Sequence, residues 1–489
     1  MASPNKMHLW GTRILAMPLA LTIALAGCAA KEPASAGSEA EGAAAEESAE
    51  AEAEDTSAKS RFSLTRDDLT INETITDDAD ESHTILADGT TDTYKNVEVL
   101  KTGAADGDEA DFYGTNAAIY ATNGASLSLS DSYISTDGMH ANAVFSYGAG
   151  TTINIVHSVI ETVGNCSGGI MVTGGGTINA TDLAIHTTGN SSAAIRSDRG
   201  GGTENVTGGT YVTEGKGSPV IYSTADVYVT SATLESTSSQ GVVVEGKNSV
   251  TLTDVDLIAS NVSKNSDKSD WYQAVMIYQS MSGDADEGKA SFTMTGGSLT
   301  NKNGDVFFVN NTVADIKLTG TTIENEDEDG NFMRIAAAGW GNEGSNGGHV
   351  TLSLAGEQVE GDILVDDVSE LNATLKDKTS LTGAINPANE GAVYVEIESG
   401  SSWTLTADSY VTSLTCDAGA IKLNGHTLYV DGVAYEDGSA SSGTPIEFTL
   451  PTGGGMGMGE PPAGGPGGGP GGEPPAGGPG GEPPAKPGE

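Results

Sequence analysis

From Asn116 to about Ser239 the chain repeats itself with a period of roughly 25 residues, a spacing that belongs to stacked repeats. Each unit opens on an apolar position, at Ile119, Val144, Ile170, Ile195, Val220 and Val242, usually just after a small residue such as Ala118, Ala143, Gly169 or Ala194. A second apolar pair follows, as in Leu127 with Leu129, Ile153 with Ile155, Val227 with Val229 and Val250 with Leu252. A third position comes at Ile134, Ile160, Ile185, Val212, Leu234 and Ile258. Gly, Asn, Ser and Thr fill the intervals, and Gly164-Asn165 and Gly189-Asn190 read as turns built from residues that tolerate positive φ. Three short alternating strands bent at three corners cannot bury their own apolar faces. The units must therefore stack, their backbones pairing in parallel about 4.8 Å apart. The expected fold is all-β, a right-handed parallel β-helix: a three-sided solenoid of about 12 coils. A β-sandwich would have no reason to keep three strand signals in the same order in every repeat. An aromatic content of 5% suits a narrow interior.

The 489 residues carry 22 basic and 68 acidic side chains, a balance of 22 − 68 = −46. That charge opposes binding to nucleic acid or to anionic lipid through basic patches. At the N-terminus, Lys6 and Arg13 precede an apolar run from Ile14 to Ala26, shorter than a spanning helix and shaped like a signal peptide. The run ends in Leu25-Ala26-Gly27-Cys28, which resembles the bacterial lipobox. That resemblance implies cleavage before Cys28, a thioether lipid on Cys28, and a mature protein that is extracytoplasmic, anchored to the cell membrane and exposed at the surface. Residues 1–27 are thus read as the signal peptide, and the Ala/Glu-rich residues 28–59 as a disordered, solvated tether. Residues 60–115 are read as the N-terminal cap and first coil, 116–435 as the β-helix, and 436–452 as a C-terminal cap or linker. Residues 453–489 repeat Gly-Glu-Pro-Pro-Ala-Gly-Gly-Pro-Gly-Gly from Gly459 and Gly472. They read as a disordered tail, not collagen, because glycine does not hold every third place.

Beyond Ser239 the repeat continues with insertions, its first positions at Val275, Val306 and Phe332. Residues 279–289 and 336–348 both fall between a first and a second strand signal, so both should project from one corner, about 10 Å apart. Residues 261–271 lie between coils instead. The runs GDILVDDVSELNATLKDKTSLTGAI and SSWTLTADSYVTSL resemble late coils of autotransporter passenger domains, and residues 95–435 as a whole look like the pectate-lyase-type β-helix of bacterial surface proteins and adhesins. The resemblance implies a fold and a surface setting, and adhesion only by analogy.

Candidate chemistry concentrates on the insertions. Trp271, Tyr272, Arg334 and Trp340 are candidates either for stacking a sugar ring or for anchoring loops. Asp284, Asp286 and Glu287 form one oxygen-rich cluster and Asn325, Asp327 and Asp329 another; each suits calcium, although Ala336 stands where a calcium loop of the second kind needs a bidentate Glu. Arg196, Asp198 and Arg199, ahead of three glycines, read as a charged turn with a local ion pair. The seven histidines show no ligand spacing. Cys166 and Cys416 lie some 40 Å apart at about 4.8 Å per rung and cannot pair with each other. The expected function is a non-enzymatic, lipid-anchored surface protein, adhesin-like or polysaccharide-binding. Its partners would be the membrane through Cys28 and a polysaccharide or a host or neighbouring cell surface. The alternatives are a calcium-dependent polysaccharide lyase or hydrolase, which would gather carboxylates on one face, and a structural envelope protein.

Overall fold

The computed structural model describes residues 62–264 and 266–448. The signal sequence, Cys28, the acidic tether and the Gly/Pro tail lie outside the described residues. The described chain winds as a parallel β-helix in which each full coil gives one strand to each of three sheets. Sheet A has ten strands, from Glu73–Asp77 to Thr322–Asn325; sheet B eleven, from Ile85–Asp88 to Ile363–Val365; and sheet C fourteen, from Thr91–Lys95 to Ser441–Ser442. Past Asn325 sheet A gives way to a four-stranded sheet that begins at Gln358–Glu360, and past Val365 sheet B passes through Ile385 to a three-stranded sheet that begins at Ser409–Val411. The stack ends where Ser441–Ser442 turns back antiparallel on Ser413–Cys416.

Ile119 pairs with Val144 and Val144 with Ile170, and all three are fully buried, so like positions of successive repeats stack in one dry interior. The phasing slips by one residue at five places. Ile221, Phe307 and Met333 continue the column of Ile195, and Tyr211 and Leu257 that of Ile185, where the sequence pattern suggests Val220, Val306, Phe332, Val212 and Ile258. Each slip falls at two adjacent residues that are both bulky and mostly apolar, where a period of two is ambiguous and the pleat decides. Val220, Val306 and Phe332 still enter the core, at the corner position that Ala194 holds elsewhere.

Two corners explain the small polar residues. Between sheets C and A the chain turns through the left-handed region, on Asn96, Asp131, His157, Asp182, Ser231 or Asp254 in most coils and on glycine, as at Gly208-Gly209, Gly296-Gly297 and Gly320, in the others. Between sheets A and B the need is different. Neither Gly164 nor Gly189 adopts a positive φ; instead a Cβ on Gly164 would lie 2.0 Å from the Gly138 carbonyl oxygen, and one on Gly189 would lie 2.0 Å from that of Gly164. These glycines are required for room. Ser167 and Ser192 Oγ donate to the same Gly138 and Gly164 carbonyls at 2.8 and 3.1 Å, and Thr162 and Thr187 close each turn at 2.6 Å.

One interior position breaks the pattern. Glu204 pairs with Ile178 and Val227, points into the core, is fully buried, and neither of its carboxyl oxygens has a hydrogen-bond partner. Burial pushes its carboxyl well above the usual range. Residues ahead of the first strand do not stay at the end of the stack: Phe62, Leu64, Leu69 and Ile71 pack along the outer face of sheet A against Tyr133, Val159 and Ala184.

Candidate functional site

The middle strands of sheet B are buried on both faces, and this sets the site. Strands Ile170–Thr173, Val242–Glu245, Gln273–Tyr278 and Asp305–Asn310 have no exposed position. One outward column runs Phe145, Met171, Arg196, Tyr222, Val243, Met276, Phe308, Arg334 in strict register. What covers it are the insertions. The short helix Glu109–Tyr113 and residues 261–264 and 266–272 rise at the corner between sheets A and B, and residues 279–288 and 336–347 rise at the corner between B and C.

At one end the roof is ionic. Arg196 grips Asp111 of the short helix with both terminal nitrogens, at 3.2 and 3.0 Å, although the two residues are 85 apart in sequence. His140 Nδ1 lies 3.2 Å from the same carboxylate, and Asn142 donates to it at 3.3 Å. Burial alone would push the Asp111 carboxyl up; the Arg196 charge and the contact from His140 outweigh burial and hold it below the usual range. Asp198, 3.6 Å from Arg196, fares differently. Burial, together with the nearby charges of Asp284 and Asp111, pushes its carboxyl up to about 8. Arg199 reaches Asp284 Oδ1 at 2.8 Å and stacks over the Phe112 ring at 3.7 Å, tying residues 279–288 to the helix. Glu245 accepts hydrogen bonds from Tyr222 Oη, Tyr278 Oη (3.0 Å) and Ser280 Oγ, yet burial still raises its carboxyl.

At the other end the roof is aromatic. Arg334, held by Asp305 at 2.6 Å, stacks over Trp271 at 4.6 Å; Trp271 packs on Phe308 at 5.5 Å, and Trp340 meets Tyr278 edge-on at 5.2 Å. Four sequence candidates, Trp271, Tyr272, Arg334 and Trp340, therefore gather at one end of one face. They do not play one role. Trp340 is 3% exposed and serves as the anchor of its loop, whereas Trp271 and Tyr272 are half-buried. Trp271, Tyr272 and Trp340 line a notch together with Gln240, Asn261 and Gln273. A second notch, lined by Arg196, Tyr222, Tyr278 and Gln240, adjoins it through Gln240 and Met276.

The acidic candidates are dispersed. Asp284 is buried against Arg199, and Asp286 is exposed and pairs with Lys247 at 2.7 Å; Glu287 follows it on the half-buried side of the loop. Asn325 accepts from the Asn301 side chain at 3.0 Å; Asp327 caps the Asp329 and Gly304 amides at 3.0 and 2.6 Å. Those oxygens lock turns. Among the described residues the one group of three ligand atoms within 4.8 Å of one another is Asp111, His140 and Cys166, but Arg196 already holds Asp111 and Cys166 has a bonding partner of its own. The Cys416 thiol is free and buried.

Sequence reasoning missed Asp111, His140, Tyr222, Glu245 and Tyr278 as parts of this face. The available signal was the runs Val242–Glu245, Gln273–Tyr278 and Asp305–Asn310, which are apolar without alternation and so belong to strands covered on both sides.

The fold and this face define a parallel β-helix protein with one outer face roofed by insertions and notched at two places. Comparison with protein-family models, curated proteins and solved structures finds no match. Among the described residues no helix is long and apolar enough to cross a membrane.

Proposed function

We propose that the chain is a surface protein, lipid-anchored through Cys28, that binds polysaccharide without cleaving it through the outer face of sheet B. The observation that carries this reading is the half-exposed Trp271 and Tyr272 set in a polar notch beside the Arg334 stack, on the one face where the insertions gather. Aromatic rings offer an apolar plate to the C–H face of a sugar, and side-chain amides and hydroxyls satisfy its O–H groups. The lipobox-like Leu25-Ala26-Gly27-Cys28 supports the anchor and the extracytoplasmic setting.

The hydrolytic alternative draws on Asp198, just past strand Ile195–Ser197, and Glu245, at the end of a strand two rungs further on and hence about 10 Å away along the stack. A carboxyl raised to about 8 is a proton donor at neutral pH. Both carboxyls, however, are at most 1% exposed and lie beneath the Arg199–Asp284 bridge and the Tyr222 and Tyr278 hydroxyls, so the geometry supports binding over hydrolysis.

Affinity electrophoresis of the full chain through gels cast with soluble glucan, mannan, galactan or polygalacturonate tests the reading. Retardation in one gel, with no release of reducing or unsaturated ends, is the expected result; free migration in all of them removes it. Labelled palmitate should enter the wild type expressed in a bacterial host and not Cys28→Ala.

A further inference from the structure

The notch at the corner between sheets A and B contains two side chains whose hydrogen bonding is incomplete in a way that specifies a ligand. Asn261 and Gln273 both line it, and each is 2% exposed. Asn261 Nδ2 donates to the Gln273 backbone carbonyl at 3.1 Å, which fixes the orientation of the amide and leaves Oδ1 as the surplus group. Neither Asn261 Oδ1 nor Gln273 Oε1 receives a hydrogen bond. Buried amide oxygens are rarely left without a donor, since each unpaired one weakens the fold. The amide oxygens of Asn116, Gln279, Asn301, Asn310 and Asn346 are also buried and unpaired; what sets Asn261 and Gln273 apart is that both line one notch beside aromatic rings.

The neighbouring groups narrow what would donate to these two oxygens. Ser269 Oγ accepts from the Trp271 amide at 3.2 Å and Ser266 Oγ from the Lys268 amide at 3.3 Å, so each serine keeps its own hydroxyl proton to offer. Lys264 is paired with Asp270 at 3.2 Å, and Lys268 sits 5.9 Å from the Trp340 ring centre; both cations are already engaged. The wall therefore presents surplus acceptors, spare hydroxyl donors and an aromatic plate, on a molecule with net charge −46 that repels polyanions. A pyranose ring has matching chemistry: adjacent hydroxyls that both donate and accept, and an apolar C–H face.

We infer that this notch is a subsite for one neutral hexopyranose residue, whose hydroxyls donate to Asn261 Oδ1 and Gln273 Oε1 while its ring lies against Trp271 and Tyr272. The inference rests on the polysaccharide-binding reading above and gives it an address. It also separates the notch from its ionic neighbour around Arg196, where the charged groups face one another, and which takes no part.

The test uses the full chain and methyl glucopyranoside, methyl mannopyranoside, methyl galactopyranoside and glucuronate as probes. Saturation-transfer NMR detects contact, and the part of the tryptophan emission change on binding that is lost in Trp271→Phe reports on Trp271. At least one neutral glycoside should bind. Trp271→Ala should abolish that binding, Trp271→Phe should keep it within about threefold, and Gln273→Leu or Asn261→Leu should weaken it about tenfold. Gln273→Leu removes an unpaired buried oxygen, so its unfolding midpoint should stay level or rise while affinity falls, which a merely damaged fold would not do; Asn261→Leu also loses the Nδ2 bond to the Gln273 carbonyl and should lower the midpoint. Binding that survives Gln273→Leu and Asn261→Leu overturns the assignment of the two acceptors, and binding of glucuronate alone overturns the neutral class. If polysaccharide still retards the chain while Trp271→Ala changes nothing, the subsite is wrong and the polymer-binding reading stands; if neither sugars nor polysaccharides bind, that reading falls as well.

Discussion

The outer faces of sheets B and C start from the same backbone, the same parallel pairing and the same repeat, and end as opposite environments. On sheet C the outward residues stay half-exposed or exposed and simple: Asn179 donates to Asn154 and Asn205 to Asn179, each at 2.9 Å, and Thr207, Thr230, Thr253 and Thr295 stack in register beside this ladder. On sheet B the equivalent positions hold Phe145, Met171, Arg196, Val243 and Phe308, all 5% exposed or less. The difference comes from the corners. Where a coil turns on one or a few residues the sheet faces water and selects small hydrogen-bonding side chains; where the corner carries an insertion the sheet gains a second buried layer and can hold charges and aromatics that water would otherwise swamp. Function on such a scaffold is decided by corner length, with the strands held constant.

If the two faces differ as described, substitutions should divide along the same line. Arg196→Ala leaves Asp111 buried without its main partner and should cost about 3–5 kcal/mol, seen as a large fall in the urea midpoint. Glu204→Leu, on the inner face of sheet C, should stabilise by about 1–3 kcal/mol because it removes a buried carboxyl with no partner. That gain should depend on pH. The Glu204 carboxyl is raised in the folded state, so its contribution is fully present below the ordinary glutamate range, near pH 4.5, and is lost as pH rises; the leucine variant should lack that slope. Asp198→Asn should act in the same sense on the roofed face. With the carboxyl raised to about 8, the wild type loses stability from about pH 4 up to about pH 8, and the asparagine variant should be flatter in that window by urea titration at several pH values. Asn179→Ala, on the open face, should change stability by no more than about 0.5 kcal/mol. A cost there as large as that of Arg196→Ala would erase the distinction between the two faces.

Much of the scaffold was legible in the residues. The spacing of Ile119, Val144 and Ile170 requires stacking, and the positions of residues 279–289 and 336–348 in the repeat place both insertions on one corner. The register was less legible: Val220-Ile221 and Tyr211-Val212 are pairs in which either residue suits the inside, and only the strand pleat chooses. Gly164 was recognisable as a turn residue, but for the wrong reason, because the crowding that demands it comes from the coil before. The site was legible only in part. Trp271, Tyr272, Arg334 and Trp340 do meet, since all belong to neighbouring insertions. The Asp111–Arg196 pair joins residues three coils apart through a five-residue helix, and no local pattern announces it. The acidic runs misled for the converse reason: carboxylates close in sequence, such as Asp284 and Asp286, go to different cations on opposite sides of one loop.

The glycine column between sheets A and B carries one more implication. Gly138, Gly164, Gly189 and Gly215 each sit where a methyl group would strike the carbonyl of the coil below, about 2 Å away. No member of that column can be altered alone without prising two layers apart. A gene for such a protein would lengthen or shorten more readily by copying or losing an entire winding than by revising one letter at this edge.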